Sequence, residues 1–278
     1  MRKGLTHKLG DRLKSHFPEK TQETNLAYLV YDIESIVDKK LLNEILHAGE
    51  NLSDDEVYKQ EVAKVLEEKG NTFLNPSFHV PVCLAAIAVD KDLQPLKIGL
   101  LGEKTPSTIV KHFWDMYNRF SFIPVDFNGR GYDMRLLELW AFREGITIHY
   151  KHFDKFGTRY RFSDDKHLDL HEALTNNLAI KLQGGLNYFA KLLNKPGKMG
   201  TKGDMVQGLY DQGDLFRIED YCLGDAMDTY FVFLRWMVVR GRITLQKEKE
   251  LTSLALKMAR ENSEKTGYLK EYLQNVRD

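Results

Sequence analysis

Residues 26–34 read LAYLVYDIE. A near-continuous run of apolar β-formers is the pattern of a strand covered on both faces, as at the centre of an α/β sheet. This run ends in acid, at Asp32-Ile33-Glu34. Side chains at i and i+2 leave the same face of a strand, so the two carboxylates point together while Ile33 points away. Like charges this close on a buried strand raise each other's pKa and resist desolvation, a cost that a bound cation resolves. Alone, the pair reads more simply as two solvated carboxylates at a strand end, so its meaning depends on what else the chain brings to it.

Downstream of this strand, Lys39 to Gly70 turns helical. Ser53 and Glu56 form a capping box ahead of DDEVYKQEVAKVLEEK, and Gly70 stops the helix, which predicts a helical insertion over about residues 39–76. HVPVCLAAIAVD and PLKIGLLGE read as two strands of a hairpin. Thr105 and Pro106 open a helix reaching about Phe120. SFIPVDFN is a fourth strand, NGRG a turn and YDMRLLELWAFREG a helix ended by its glycine. ITIHY is read as a fifth strand, and HLDLHEALTN, LNYFAKLL, the long segment from Leu215 to Arg240 and TLQKEKELTSLALKMAR as helices. The order β, β, β, α, β, α predicts an α/β domain with further helices towards the C-terminus.

The 278 residues are 42% apolar and 29% charged, the balance of a globular chain able to bury a core rather than of a disordered one. No window approaches the roughly 18 apolar residues of a membrane span, and the start MRKGLTHKLGDRLKSHF has no apolar signal region, which makes the cytoplasm the expected location. Cys83 and Cys222 stand alone, outside any zinc spacing, and read as reduced packed thiols. Forty basic and forty acidic residues cancel, so a polyanion must be drawn by local patches rather than by overall charge. The reading divides the chain into a basic arm (1–24), a domain over 25–245 and a helical extension over 246–278.

Two further acids are candidates. Asp133 in FNGRGYD follows the fourth strand, at the carboxyl-end edge of a sheet, with Gly129 and Gly131 allowing close approach of the backbone to a ligand. A plain Asn-Gly turn with Asp133 as helix cap is the competing reading. In IEDYCLGDAMDTYFVFLRW, Tyr221 and Asp225 are four apart and share a helix face. An ordinary amphipathic helix would look the same.

In order, YDIES, FNGRGYDMRLLE and YCLGDAMDTY resemble the three motifs of the DEDD exonucleases of the ribonuclease H-like fold. The tyrosine four before the last acid resembles the tyrosine subclass; the histidine subclass would carry His at position 220, which here is Asp. The stretch from HLDLHEALTN to the third motif is similar to the stand-alone predicted exonucleases related to the proofreading domain of B-family DNA polymerases. The resemblance spans about residues 26–240; the insertion at 39–76, Ser35 where Thr is commoner and the N-terminal arm depart from it.

The resemblance implies a ribonuclease H-like fold with a mixed sheet of five to six strands. It implies a 3′–5′ exonuclease acting on single-stranded DNA through two ions, Mg²⁺ or Mn²⁺, about 4 Å apart. Asp32, Glu34, Asp133 and Asp225 would be the metal ligands, with Asp32 bridging and Asp133 acting largely through water. Tyr221 would position the attacking water, since a phenol with its usual pKa near 10 is a poor base. Asn128 would lie near the terminal nucleotide, unless it is only a turn residue. An exoribonuclease and a non-catalytic nucleic-acid-binding module of the same fold are the alternatives.

Other residues read more plainly. Lys191, Lys195, Lys198 and Lys202 in KLLNKPGKMGTKGD suit a phosphate-tracking loop or a solvated one, with Lys198 and Lys202 the candidates for substrate. Trp114, Trp140 and Trp236 fall in amphipathic helices and belong to the core. His149, His152, His167 and His171 lack a metal spacing, Asp169 reads most simply as a helix cap although the resembled family carries an acid at this place, and Asp126 is expected to face away from the site.

Overall fold

The computed structural model describes residues 25–102, 105–200 and 203–277. The basic arm and Lys202 lie outside the described residues. In chain order the elements begin with β1 (Tyr28–Val37), the helices α1 (Lys39–Leu46) and α2 (Asp54–Lys69), and the hairpin β2 (His79–Val89) and β3 (Pro95–Leu100). There follow α3 (Pro106–Phe120), β4 (Ile123–Asp126), α4 (Asp133–Glu144), β5 (Leu168–Asp169), α5 (Leu170–Leu174), α6 (Gly185–Leu192) and α7 (Val206–Asp211). The described chain closes with α8 (Leu215–Val239), α9 (Leu245–Thr266) and α10 (Lys270–Asn275).

The five strands form one mixed sheet in the order β3-β2-β1-β4-β5. β1 pairs antiparallel with β2 and parallel with β4, and β4 runs parallel to β5. This is the α/β, mixed-sheet architecture with C-terminal helices that the resemblance implied. The apolar run of β1 is explained by its central place: Leu29, Tyr31 and Ile33 enter the core beneath α3 and α4, while Val30 enters the one beneath α8. Asp32 and Glu34 follow Val30 on the α8 face.

Local signals account for most helix boundaries. Ser53 and Glu56 make the reciprocal capping box of α2, and Gly70 ends it with a left-handed φ of 69°. Thr105 caps α3 through the Thr108 amide, and Gly145 closes α4. α1 and α2 cover a small core of their own, Val37, Leu42, Val57 and Leu74.

The fifth strand is not where the sequence suggests. ITIHY is not a strand; Ile146 and Ile148 rest half-buried against the α3–α4 core and the chain turns through a 3₁₀ turn at Tyr150–His152. β5 is instead the two-residue step Leu168–Asp169, inside the segment expected to be wholly helical, and only α5 of that helix forms. β-propensity marked a segment with no neighbour to pair with, whereas the parallel edge beside β4 fixes the true strand.

Candidate active site

β4 ends at Asp126, so beyond it the β1 backbone has no strand on that side. The free Ile33 amide is taken by Asp133 Oδ1 at 3.1 Å. That bond brings the N-terminus of α4 to the carboxyl end of β1. From the other side α8 packs on the sheet, with Cys222 Sγ 3.3 Å from the Asp32 carbonyl, and one helical turn later Asp225 reaches the same place. Asp32, Glu34 and Asp225 thus offer carboxylate oxygens all within 4.8 Å of one another. Asp133 is outside this trio but lines the same cleft, with Asn128, Phe127, Tyr132, Phe73 and Tyr221. A bulge between Glu34 and Ser35 marks the point where β1 leaves its pairing with β2, a common device for aiming side chains at a site.

The electrostatics follow from the crowding. Burial, then the charge of Asp225, pushes the Asp32 carboxyl up to about 8. Burial raises Asp225 to about 6 against the pull of Lys198 and the Tyr221 hydroxyl. Glu34 and Asp133 are held well above the usual carboxylate range, in each case by burial and then by Asp32. Asp32 Oδ2 is buried with no hydrogen-bond partner. Three desolvated carboxylates with an orphaned oxygen are unfavourable as they stand and suit a hard divalent cation, for which carboxylate oxygen is the preferred donor. The residues therefore fit Mg²⁺ or Mn²⁺.

Tyr221 lies one helical turn before Asp225, and its hydroxyl is raised far above the phenol range by burial and then by Asp225, Glu34 and Asp32. The shift favours the neutral phenol, which can donate a hydrogen bond at this site. Lys198 Nζ sits 5.6 Å over the Tyr221 ring, while Lys195 lies 5.1 Å from the Phe231 ring and Lys191 bonds the Pro196 carbonyl. Of the loop lysines described, Lys198 is the one the fold directs to the acids.

The turn between β4 and α4 is held from behind. Asp169 caps α5 as expected, accepting from His171 at 3.0 Å and Glu172 at 3.2 Å. It also accepts from the Asn128 amide at 2.9 Å and the Arg130 amide at 3.1 Å. Asn128 takes the left-handed φ of 73° that its turn reading anticipates. Both glycines answer to crowding within the turn: a Cβ on Gly129 would lie 2.0 Å from Asp126 Oδ2, and one on Gly131, which also lines the cleft, 2.9 Å from Asn128 Oδ1. Asp126 is buried apart from the cleft, bonded by Tyr31 at 2.8 Å and by His167 at 2.7 Å.

Sequence reasoning missed the aromatic walls of the cleft, Phe73, Phe127 and Tyr132. Tyr132 packs edge-on to Phe73 at 5.1 Å, and its hydroxyl meets Ser35 and lies 3.0 Å from His79 Nδ1. Ser35 and Tyr132, both inside quoted motifs, were the available signal. Trp114 and Trp140 are core residues as expected; Trp236 is half-buried. Among the described residues no helix is long and apolar enough to cross a membrane.

A family model described as "Predicted 3'-5' exonuclease related to the exonuclease domain of PolB" matches residues 71–276. The match leaves out β1, so Asp32 and Glu34 are joined to it by the fold and not by that similarity. Among solved structures, the family B DNA polymerase from the hyperthermophilic archaeon Pyrobaculum calidifontis is similar at 14% identity and a TM-score of 0.46. The similarity covers 87% of this chain and 30% of the polymerase chain, so this chain corresponds to under a third of that protein. No curated protein sequence matches.

Proposed function

As the chain belongs to the family of predicted 3′–5′ exonucleases related to the exonuclease domain of PolB, we propose that it removes nucleoside monophosphates from the 3′ end of single-stranded DNA using two divalent cations. The observation that carries this reading is the meeting of Asp32, Glu34 and Asp225, from two elements far apart in sequence, within 4.8 Å. When bound, the ions would supply a hydroxide at neutral pH and stabilise charge on the leaving oxygen.

Asp32, Glu34 and Asp225 would hold one ion directly, Asp32 sharing the second with Asp133, whose Oδ1 is already engaged by the Ile33 amide and which would act largely through water. Tyr221, locked in its protonated form beside Asp225, orients the attacking water through its hydroxyl and takes no proton itself. Asn128 would contact the terminal nucleotide, and Lys198 its phosphate. Lys202 is a further candidate on the same loop. The tyrosine-type DEDD assignment rests on this set of five residues, Asp32, Glu34, Asp133, Tyr221 and Asp225.

The test is digestion of matched DNA and RNA oligonucleotides, labelled at either end, by the wild type and by Asp225→Asn. Stepwise loss from the 3′ end that requires Mg²⁺ or Mn²⁺ and vanishes in the variant is the expected result. Digestion of RNA alone would move the substrate to ribonucleic acid, and binding without hydrolysis under either metal would leave a non-catalytic module.

A further inference from the structure

Residues 149–162, HYKHFDKFGTRYRF, join α4 to β5 with a single 3₁₀ turn as regular structure. Tyr150, Phe153, Phe156 and Phe162 within it are each 50% to 67% exposed. Apolar surface gathered in this way marks an interaction site more often than chance exposure does. The cations are interleaved with the rings: Arg159 lies 4.7 Å over Phe153, Lys155 5.3 Å over Phe156 and Arg161 6.0 Å over Phe162. Four cationic side chains stand against the one acid Asp154, in a chain whose charges cancel overall. Arg159 and Arg161 are paired with Glu138 and Glu172, whereas Lys151 and Lys155 have no carboxylate partner among the described residues.

The rings are displayed from a fixed frame. His152 is fully buried with Nε2 2.6 Å from Glu138, and Thr158 is buried with its carbonyl taken by Arg130 at 2.8 Å. Gly157 passes so close to the Lys151 carbonyl that a Cβ would lie 2.1 Å from it. Arg130 belongs to the turn that carries Asn128 and Asp133, so the segment is tied directly to the wall of the acidic cleft. At its far end Arg161 and Phe162 line a cavity of about 170 Å³ with Arg130, Asn176, Asn177 and Trp236, and with three acids, of which Glu172 is paired with Arg130 and Arg161, Asp164 with Arg240, and Asp169 holds backbone amides. The Trp236 Nε1 there is buried without an acceptor.

We propose that residues 149–162 and the adjoining Trp236 cavity form a track for the single-stranded substrate on the 5′ side of the bond being cut. Bases stack on Phe153, Phe156 and Phe162, Lys151 and Lys155 neutralise phosphates, and the cavity receives one base whose acceptor meets the Trp236 indole. This rests on the nucleolytic reading of the acidic cleft and adds to it a second, metal-independent binding element. Stacking platforms interleaved with cations are how proteins hold single strands without regard to sequence.

The experiment measures binding of fluorescent oligonucleotides of about 15 nucleotides, DNA and RNA in parallel, to the full chain carrying Asp225→Asn. Phe156→Ala with Phe162→Ala should weaken binding about tenfold for each ring. Lys151→Ala with Lys155→Ala should flatten the slope of log affinity against log salt by about 1.4. In the otherwise wild-type enzyme the ring variant should raise KM and not lower kcat, a handicap that fades as the strand is shortened to a dinucleotide. Affinity and salt slope equal to the parent's, or no binding of either strand by the parent, would overturn the track. If binding depends on these residues but no strand is digested, the track stands and the nuclease reading fails; if digestion proceeds and the variants match the wild type, the reverse holds.

Discussion

Two buried acidic sites in this molecule behave in opposite ways. Glu138 on α4 is enclosed by His152, Arg135 and Arg159, with oxygen contacts of 2.5 to 2.9 Å. Burial alone would raise its carboxyl, but the hydrogen bonds from His152 and Arg159 outweigh burial and bring it down to about 2. Burial raises Asp32, Glu34 and Asp225, and among the described residues Lys198 is the cation that opposes it. The fold thus supplies counter-charges to Glu138. At Asp32, Glu34 and Asp225 it leaves a crowd of carboxylates that suits a bound cation.

The largest expected effect comes from removing a member of the uncompensated group. Asp225→Asn should lower nuclease activity by about 10³-fold or more, yet the folded protein, measured without divalent ions at pH 8, should gain about 2 kcal/mol. A loss of stability in that variant would erase the contrast between the two groups. Glu138→Gln should do the reverse, costing about 2–3 kcal/mol in urea denaturation while leaving kcat near wild type.

The pH dependence of that cost has a definite sign. The folded pKa of Glu138 is depressed from 4.5, so its contribution is fully present above about pH 4.5 and is lost as pH falls towards about 2. The difference in midpoint between wild type and variant should shrink across that window. A difference that grows with acid would contradict the assignment.

Tyr221→Phe should reduce kcat about 10- to 100-fold, as loss of a water-orienting hydroxyl and not of an ion. Its thermal stabilisation by Mn²⁺ should match the wild type, which separates it from the acids. The smallest effect is thermal. Asp32 is raised from 3.8 to about 8, so between these values the folded state holds the extra proton and stability falls as pH rises. A divalent ion that replaces the proton should raise Tm by more at pH 8 than at pH 5. Equal gains at the two pH values would remove the ion from these carboxylates.

What the sequence discloses depends on whether the cause is local. Caps at Ser53 and Thr105, the stop at Gly70 and the apolar run of β1 are local, and their elements form where the patterns indicate. The parity of Asp32 and Glu34 is local too, and so is the one-turn spacing of Tyr221 and Asp225. Their convergence is not; it was available only through resemblance. β5 exists because β4 offers an edge, a fact no window of residues contains. The packing neighbours of Gly129 and Gly131, Asp126 and Asn128, are likewise identified only once the turn is folded.

Asp169 accepts four backbone amides, two from its own helix and two from the turn ahead of α4, and touches none of the residues that would hold an ion. The stretch from Asp126 to Asp133 is consequently not a portable cassette. Transplanted onto another parallel sheet, it would hold its shape only if a carboxylate were supplied from the neighbouring strand at the position Asp169 occupies, and a designer who copied the four acids alone would obtain the ligands without their spacing.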